Sequence, residues 1–134
     1  MNVHLYTDGG SRGNPGPAAS GAVVKTPEGE VLAEAMKYLG ETTNNQAEYT
    51  AIIIGLEKAR ELGAKRVDVF LDSELATKQL KGEYKVKNPG IAQRFLEVKN
   101  LIHAFDRVTF THVYRENNKE ADALVNKCLD EQQC

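Results

Sequence analysis

The sequence predicts an α/β fold with a five-stranded mixed sheet, in which three antiparallel strands precede a β-α-β-α portion and helices cover both faces. Short β-branched or alternating runs stop at glycine- and proline-rich turns, which is the pattern of strands. After Asn44, such runs alternate with segments of helical periodicity. A single domain over residues 1–134 is expected, because the chain is too short for two ordinary domains.

The first part of the chain predicts an antiparallel meander and a long helix. "VHLYTD" is the first strand, and "GAVVKTPEGEVLAEAMKYL" contains two more strands joined by a turn at "TPEGE". "NNQAEYTAIIIGLEKARELG" has helical periodicity, with an asparagine as its N-cap signal and Gly63 as its C-cap. The meander therefore feeds directly into a helix.

The second part predicts the parallel portion. "KRVDVFLDS" is the fourth strand and "RVTFTHV" the fifth, with helical segments at "ELATKQLKG" and "IAQRFLEVKNLIHAF" between them. "NKEADALVNKCLDEQ" is the closing helix. A right-handed crossover places the fourth strand beside the first. The order of connections reverses between these two strands, and open α/β sheets bind ligands at such a switch point.

Composition excludes several classes of protein. A net charge of −2 excludes a globally basic nucleic-acid-binding domain. No apolar run has membrane-spanning length and no signal-peptide pattern opens the chain, so we expect a cytoplasmic protein that does not bind membranes. Nothing indicates an obligatory protein partner, and a monomer is expected. The lysine-rich "KQLKGEYKVK" fits a solvated loop and a phosphate-binding patch about equally well.

The two cysteines, Cys128 and Cys134, are six positions apart in the closing segment. A continuous helix would separate them by about 9 Å, which is too far for a disulfide. We therefore expect reduced thiols, and only an unwound tail would bring the two together.

Four carboxylates are predicted to meet at the switch point. Asp8 and Asp72 end the adjacent first and fourth strands, whereas Glu48 and Asp122 lie on the apolar faces of the long and closing helices. Because buried, unpaired carboxylates are costly, the four need a shared explanation. Hard divalent cations prefer carboxylate oxygen, and Mg²⁺ is commonly completed by substrate phosphate. The cluster thus predicts a metal site that acts on a phosphate.

Each carboxylate also has an ordinary structural explanation. Asp8 could cap its turn, Glu48 could favour the positive helix N-terminus, and Asp72 could cap the next helix. Asp122 could pair with Lys119. None of these explanations accounts for the convergence of all four.

Four segments, "YTDGGSRGNPGP", "TNNQAEYTAIIIGLE", "VFLDSELATKQLKGEYKVK" and "RENNKEADALVNK", resemble the signature segments of type 1 ribonuclease H in the right order. The resemblance implies a ribonuclease H-like fold and cleavage of the RNA strand of an RNA–DNA hybrid, leaving 3′-hydroxyl and 5′-phosphate ends. It implies two Mg²⁺ ions, with Mn²⁺ as a substitute. Asp8 would bridge both ions, Asp122 would help hold the one that activates water, and Glu48 and Asp72 would hold the other.

The resemblance also implies contacts with the hybrid. Amides would read 2′-hydroxyls in the minor groove, and Thr43 and Asn45 would lie near a phosphate of the DNA strand. Asn44 or Asn45 could in addition cap the helix. The expected substrate-binding residues are Asn14, Thr43, Asn44, Asn45, Gln46, Ser73, Lys85 and Lys87.

The chain departs from the best-known bacterial pattern of this family in three places. Glu74 stands where many members carry Gln, and the segment from Leu80 to Gly90 is too short for a basic protrusion, so weak binding is expected. The usual catalytic histidine is missing, and Arg115 is nearest its place. Arg115 would act electrostatically, because arginine stays protonated. His112 is the competitor, but strand alternation predicts that it is packed.

Two alternatives remain at this stage. A degenerate, non-cleaving module that binds hybrids would have the same fold, although a pure binder gains nothing from anions beside a phosphate. Transposase- or resolvase-type DNA chemistry also occurs on this fold, but the amides are placed for the 2′-hydroxyls of RNA.

Overall fold

The computed structural model describes all 134 residues, from Met1 to Cys134. Its five-stranded sheet has the order β3-β2-β1-β4-β5 and confirms the predicted fold class. The first three strands pair antiparallel, whereas β4 pairs in parallel with both β1 and β5. The elements are β1 (Asn2–Ser11), β2 (Gly16–Lys25), β3 (Val31–Thr42), α1 (Asn44–Glu61), β4 (Arg66–Leu71), α2 (Glu74–Leu80), α3 (Pro89–Ile102), β5 (Arg107–His112), a 3₁₀ turn (Arg115–Asn117) and α4 (Lys119–Glu131).

Helices cover both faces of the sheet, and two neighbouring residues of β2 show how. A Cβ atom at Gly21 would lie 2.8 Å from the carbonyl oxygen of Ala121 in α4. On the other face, a Cβ atom at Gly55 of α1 would lie 3.1 Å from the Cβ of Ala22. Because successive strand residues point to opposite faces, α1 and α4 pack on opposite sides of the sheet.

The main hydrophobic core lies between the sheet and α1. Tyr49, Ile52 and Leu56 of α1 are fully buried together with Val3 and Leu5 of β1. The predicted apolar stripe of α1 is confirmed, and burial of each such side chain contributes about 1.5 to 3 kcal/mol. This packing fixes the position of α1 over the carboxyl end of β1.

Of the two expectations about the ends of α1, the asparagine cap was wrong and the glycine at the C-terminal end is confirmed. The N-cap of α1 is Thr43, whose Oγ1 accepts a hydrogen bond from the Gln46 backbone N–H at 3.2 Å, so neither Asn44 nor Asn45 is the cap. Gly63 follows the helix at φ 81, as a residue after a helix C-terminus often does.

The cysteine prediction was also wrong, because Cys128 and Cys134 form a disulfide. Helix α4 ends at Glu131, and Gln132 adopts the left-handed conformation with φ 52. This turn folds the tail back, and the two Cα atoms are 5.6 Å apart instead of the helical separation.

Among the four helices, none has the length and apolar composition of a membrane span.

Candidate active site

Three carboxylates converge at the carboxyl ends of two neighbouring parallel strands. Thr7 pairs with Leu71 at the end of the β1–β4 ladder, so Asp8 and Asp72 are the next residues along. Glu48 reaches the same point from α1. One carboxylate oxygen from each of Asp8, Glu48 and Asp72 lies within 4.8 Å of the others. The switch point predicted from chain topology is thus an acidic cluster.

Close contact between β1 and α1 brings Glu48 to the cluster. A Cβ atom at Gly9 would overlap the Ala47 carbonyl and the Glu48 backbone nitrogen, so only glycine allows this approach. Ser20 of β2 holds the same turn, because its hydroxyl donates a hydrogen bond to the Ala47 carbonyl at 2.6 Å. The glycine after Asp8 therefore serves the packing of α1 on β1.

Asp122 lies at the margin of this cluster, in the first turn of α4. It is half-buried, and a hydrogen bond and a like charge couple it to Asp8. The Asn126 side chain donates to it at 3.3 Å. No ion pair joins Asp122 to Lys119, so that ordinary explanation does not hold.

The cluster strongly disfavours its own ionisation. Burial, followed by the charge of Asp72 and then the contacts with Asp122, raises the pKa of Asp8 to about 8. Burial, followed by the charges of Asp8 and Asp72, raises the pKa of Glu48 well above its ordinary value. Asp8 is 7% exposed and Glu48 8%. At neutral pH such a cluster must hold protons or a cation.

The donor set fits a hard divalent cation. All of its members are carboxylates, the ligand type that Mg²⁺ and Mn²⁺ prefer. The Glu48 Oε2 atom is buried and has no hydrogen-bond partner. No lysine or arginine forms an ion pair with Asp8, Glu48 or Asp72. An oxygen-binding cation would satisfy all of these groups together.

Arg115 lines the cleft of about 500 Å³ that contains the cluster. Its positive charge acts against the upward shift of the Glu48 pKa. It pairs with neither Glu116 nor Glu120, and Glu120 instead pairs with Lys25. The exposed guanidinium is therefore free to meet a substrate anion.

His112 does not have the predicted packed position, because it is exposed. It shares the strand face of Val108 and Phe110, but it is the last residue of β5, an edge strand. Its ring packs edge-on against Tyr114, with the centroids 5.8 Å apart, and lines a separate cavity with Glu74 of α2. His112 is thus outside the carboxylate cleft, whereas Arg115 lines it.

Asn118 is a residue of this site that the sequence did not single out. Its side chain is buried and donates to the Thr7 carbonyl at 2.8 Å and to Asp72 Oδ2 at 3.3 Å. The sequence signal was ambiguous, because an asparagine just before a helix indicates an N-cap. Here the side chain does not cap α4, and instead ties the helix to β1 and to the cluster.

The predicted substrate amides lie beside the cluster, but several are engaged in holding loops. Asn14 Oδ1 accepts from the Asn44 backbone N–H at 3.1 Å, and Asn44 Oδ1 accepts from Ser11 N at 2.8 Å. Gln46 Oε1 accepts from Arg94 Nε at 3.3 Å. A cavity of about 660 Å³ collects Asn14, Thr42, Thr43, Asn44, Asn45, Gln46, Leu75, Asn88 and Ile91.

The other predicted binding residues lie directly before and after α2. Ser73 is the N-cap of α2 and accepts from the Ala76 backbone N–H at 3.1 Å, so Asp72 is not the cap. Lys85 and Lys87 are exposed and form no ion pair. Lys78, which lies within α2, does form an ion pair, with Glu74 at 2.9 Å. Lys85 and Lys87 are the free cations of this segment.

Comparison with known proteins identifies the family. A family model described as "Reverse transcriptase-like" matches residues 6–128. The chain is 43% identical over 129 residues to Ribonuclease HI of Halobacterium salinarum, covering 96% of this chain and 65% of that protein. A crystal structure of RNase H1 from that archaeon superposes with TM-score 0.94 at 43% identity, covering 98% of this chain and 99% of that one. The chain belongs to the type 1 ribonuclease H family.

One further member of the ribonuclease H family bears on the site. LC11-RNase H1, solved in complex with an RNA/DNA hybrid, superposes with TM-score 0.93 at 41% identity, covering 97% of this chain and 98% of that one. The chain spans less than two thirds of the length of the Halobacterium relative named above. Within the ribonuclease H fold, this chain connects α2 to α3 through only the residues 81–88.

Proposed function

We propose that this protein hydrolyses the RNA strand of RNA–DNA hybrids, using two divalent metal ions and leaving 3′-hydroxyl and 5′-phosphate ends. The observation that carries the proposal is the convergence of three carboxylates from β1, α1 and β4, with their oxygens within 4.8 Å and no cationic side chain paired to them. Its membership of the ribonuclease H family and its similarity to a structure with bound hybrid support the substrate class.

Asp8, Glu48, Asp72 and Asp122 would hold the ions, with Mg²⁺ the expected metal and Mn²⁺ a substitute. When bound, the metals would supply an activated water and stabilise the negative charge of the leaving oxygen. Asp8 is central to the cluster, because after burial, the charge of Asp8 contributes to raising the pKa of Glu48, and Asp72 and Asp122 contribute to raising the pKa of Asp8 itself. We assign Asp8 the bridging position for this reason.

The remaining residues of the cleft would orient the substrate. Arg115 attracts a phosphate electrostatically, because its guanidinium stays protonated and lies free at the cleft. Asn45 and Gln46, which line the neighbouring cavity, would meet the minor groove, where RNA offers 2′-hydroxyl groups. Asn14, Thr43 and Asn44 fix the loops that present them. Ser73 adds a hydroxyl at the cleft wall, and Lys85 and Lys87 would reach phosphates outside it.

The proposal treats residues 1–134 as one catalytic domain that acts as a monomer in the cytoplasm. Nothing in the carboxylate cleft requires a second chain, because β1, α1, the 3₁₀ turn, α4 and the loops after β1 and β4 of one chain supply its lining residues. A non-cleaving hybrid binder would share the fold, but a surplus of buried carboxylates weakens the binding of a polyanion unless metal is present.

The test is cleavage of strand-labelled hybrid, RNA duplex and DNA duplex, each with Mg²⁺ or with EDTA. We expect cutting of the RNA strand of the hybrid in Mg²⁺ and none in EDTA, with ends that polymerase extension identifies as 3′-hydroxyl. An Asp8→Asn sample purified in parallel controls for contaminating nucleases. Hybrid binding without cleavage would favour the non-cleaving module, and cutting of the DNA duplex would favour DNA-strand chemistry.

A further inference from the structure

The carboxylate cleft continues beyond the acidic cluster as a trough between β1 and α4. Gly10, Ser11 and Arg12 form one wall. The opposite wall is one face of α4, whose residues recur at the spacing of helical turns: Asp122, Val125, Asn126 and Leu129. A strand whose phosphate lies at the cluster would therefore meet these residues next.

Arg12, one of the residues that line the trough, forms an ion pair with α4. Arg12 Nη2 donates to Asp130 Oδ1 at 2.6 Å, linking the β1–β2 loop to the last turn of α4. Both side chains are exposed, at 49% for Arg12 and 68% for Asp130. Exposed pairs of this kind contribute little to stability, so a stronger anion can displace the carboxylate.

Arg12 is well placed to make that exchange. Arg12 and Arg115 are the two cationic residues among those that line the cleft, which otherwise presents four acids to a polyanion. The guanidinium of Arg12 has five N–H donors and makes this one contact with Asp130. Its backbone is fixed, because the Arg12 N–H donates to the Pro17 carbonyl at 2.8 Å.

Asp130 is an unfavourable permanent partner. It lies at the C-terminal end of α4, where the helix dipole disfavours negative charge, and α4 has no basic residue in its last turn. Arg12 supplies the missing positive charge while substrate is absent. Phosphate offers Arg12 a bidentate partner, which the single contact to Asp130 does not.

We propose that Arg12 binds a phosphate of the RNA strand adjacent to the one at the metal cluster, and that Asp130 holds this arginine in place until the substrate displaces it. The strand assignment rests on the proposed function, because the trough is continuous with the site assigned to the scissile phosphate.

The experiment measures the affinity for labelled hybrid by fluorescence anisotropy, with Ca²⁺ in place of Mg²⁺ and salt from about 50 to 200 mM. Arg12→Ala should weaken binding about 5- to 10-fold and flatten the slope of log K against log salt by about 1. Asp130→Asn should tighten binding about 2- to 4-fold, because it removes the competitor.

A double-mutant cycle separates this exchange from a general loss of negative charge. In the Arg12→Ala background, Asp130→Asn should have almost no effect, since there is no arginine left to release. Glu131→Gln is the matched control, because it removes a neighbouring exposed charge that has no ion-pair partner. Its effect on affinity should be smaller than that of Asp130→Asn.

Unchanged affinity of Arg12→Ala, or an equal effect of Asp130→Asn with and without Arg12, would overturn the proposal and leave a purely structural ion pair. Cleavage is scored separately on the wild-type protein in Mg²⁺. If the wild type does not cut the hybrid, the proposed function fails, but the anisotropy series still decides whether Arg12 binds phosphate.

Discussion

Asp68 lies within β4 and Asp72 directly follows that strand, and the surroundings of these two aspartates differ sharply. Asp68 accepts a hydrogen bond from Thr109 Oγ1 at 2.6 Å and lies 3.6 Å from His4 Nε2. Asp72, four residues later, accepts only the 3.3 Å hydrogen bond from Asn118 and faces two further carboxylates. Asp68 thus has a hydrogen-bond partner on a neighbouring strand, whereas Asp72 has like-charged neighbours.

This difference distinguishes a structural carboxylate from a proposed metal ligand. At Asp68, the Thr109 hydroxyl of β5 donates a hydrogen bond, and the half-exposed carboxylate has no acidic neighbour in the cluster. At the carboxyl end of the sheet, β1 and α1 add further acids, and burial raises the pKa of Asp8 to about 8. The partners therefore decide the role.

The largest expected effect is that of Asp8→Asn. This change removes the central ligand while keeping the shape of the side chain, so cleavage should fall by ~10³-fold or more. The fold should persist, because the amide relieves repulsion within the cluster. Single-turnover cleavage and circular dichroism would check both statements. Turnover within about tenfold of wild type would contradict a bridging role for Asp8.

Matched substitutions at Asp72 and Asp68 test this comparison directly. Asp72→Asn should abolish most of the activity with little loss of stability. Asp68→Asn should keep the activity and lower the free energy of unfolding by about 0.5 to 1 kcal/mol, because a half-exposed hydrogen bond is weakened. Cleavage rates and urea unfolding of both variants are the measurements. Equal losses of activity would remove the distinction between the two aspartates.

The next effect concerns Arg115. Its replacement by alanine should lower kcat about 10- to 100-fold, because a positive charge near the phosphate is lost. Metal affinity should change little, and no limb of the pH–rate profile should disappear, since arginine does not titrate there. His112→Ala is the control from the neighbouring cavity, and its kcat should be nearly normal. A silent Arg115→Ala together with a lost limb near pH 6 to 7 in His112→Ala would reverse the assignment.

The smallest effect is expected at Lys85 and Lys87, far from the carboxylates. Replacing both by alanine should flatten the dependence of log K on log salt by up to about 2, if each contacts a phosphate. Lys58→Ala is a suitable control, because Lys58 pairs with Glu61 near the end of α1. An unchanged slope would show that the segment after α2 is a solvated loop.

The sequence predicted the sheet and the convergence of carboxylates because both follow from local patterns and handedness. Alternation and turn residues define the strands, and the right-handed crossover alone places Asp72 beside Asp8. The burial and the contacts of single side chains were harder to predict. Alternation gave the correct strand face of His112, but it does not show that β5 is an edge strand whose last residue the helices leave exposed.

Other features depend on contacts between distant residues. The Asn118 side chain binds the Thr7 carbonyl, 111 positions away, where a local pattern indicates only a helix cap. The disulfide of Cys128 depends on one left-handed residue, Gln132, that turns the tail back. Thr43 caps α1 although two asparagines follow it, because the helix already begins at Asn44 and both asparagines lie within its first turn.

The stability of the protein as a function of pH, with EDTA or with Mg²⁺, tests most directly whether the cluster is built for a cation. Because folding raises the pKa of Asp8 from 3.8 to about 8, protonation of this group favours the folded state. Its contribution is fully present below about pH 4 and is lost as the pH rises through about 8. Relative to Asp8→Asn, the wild-type protein in EDTA should therefore lose on the order of 2 to 4 kcal/mol between about pH 4 and pH 9.

Mg²⁺ should reverse this loss, because it binds the ionised cluster of the folded state only. Chemical unfolding of the wild type and Asp8→Asn at about pH 5 and pH 8 gives the answer. We predict that Mg²⁺ stabilises the wild type at the higher pH, does so much less at the lower pH, and leaves Asp8→Asn almost unaffected. Identical unfolding curves with Mg²⁺ and with EDTA at the higher pH would contradict a metal site at these carboxylates.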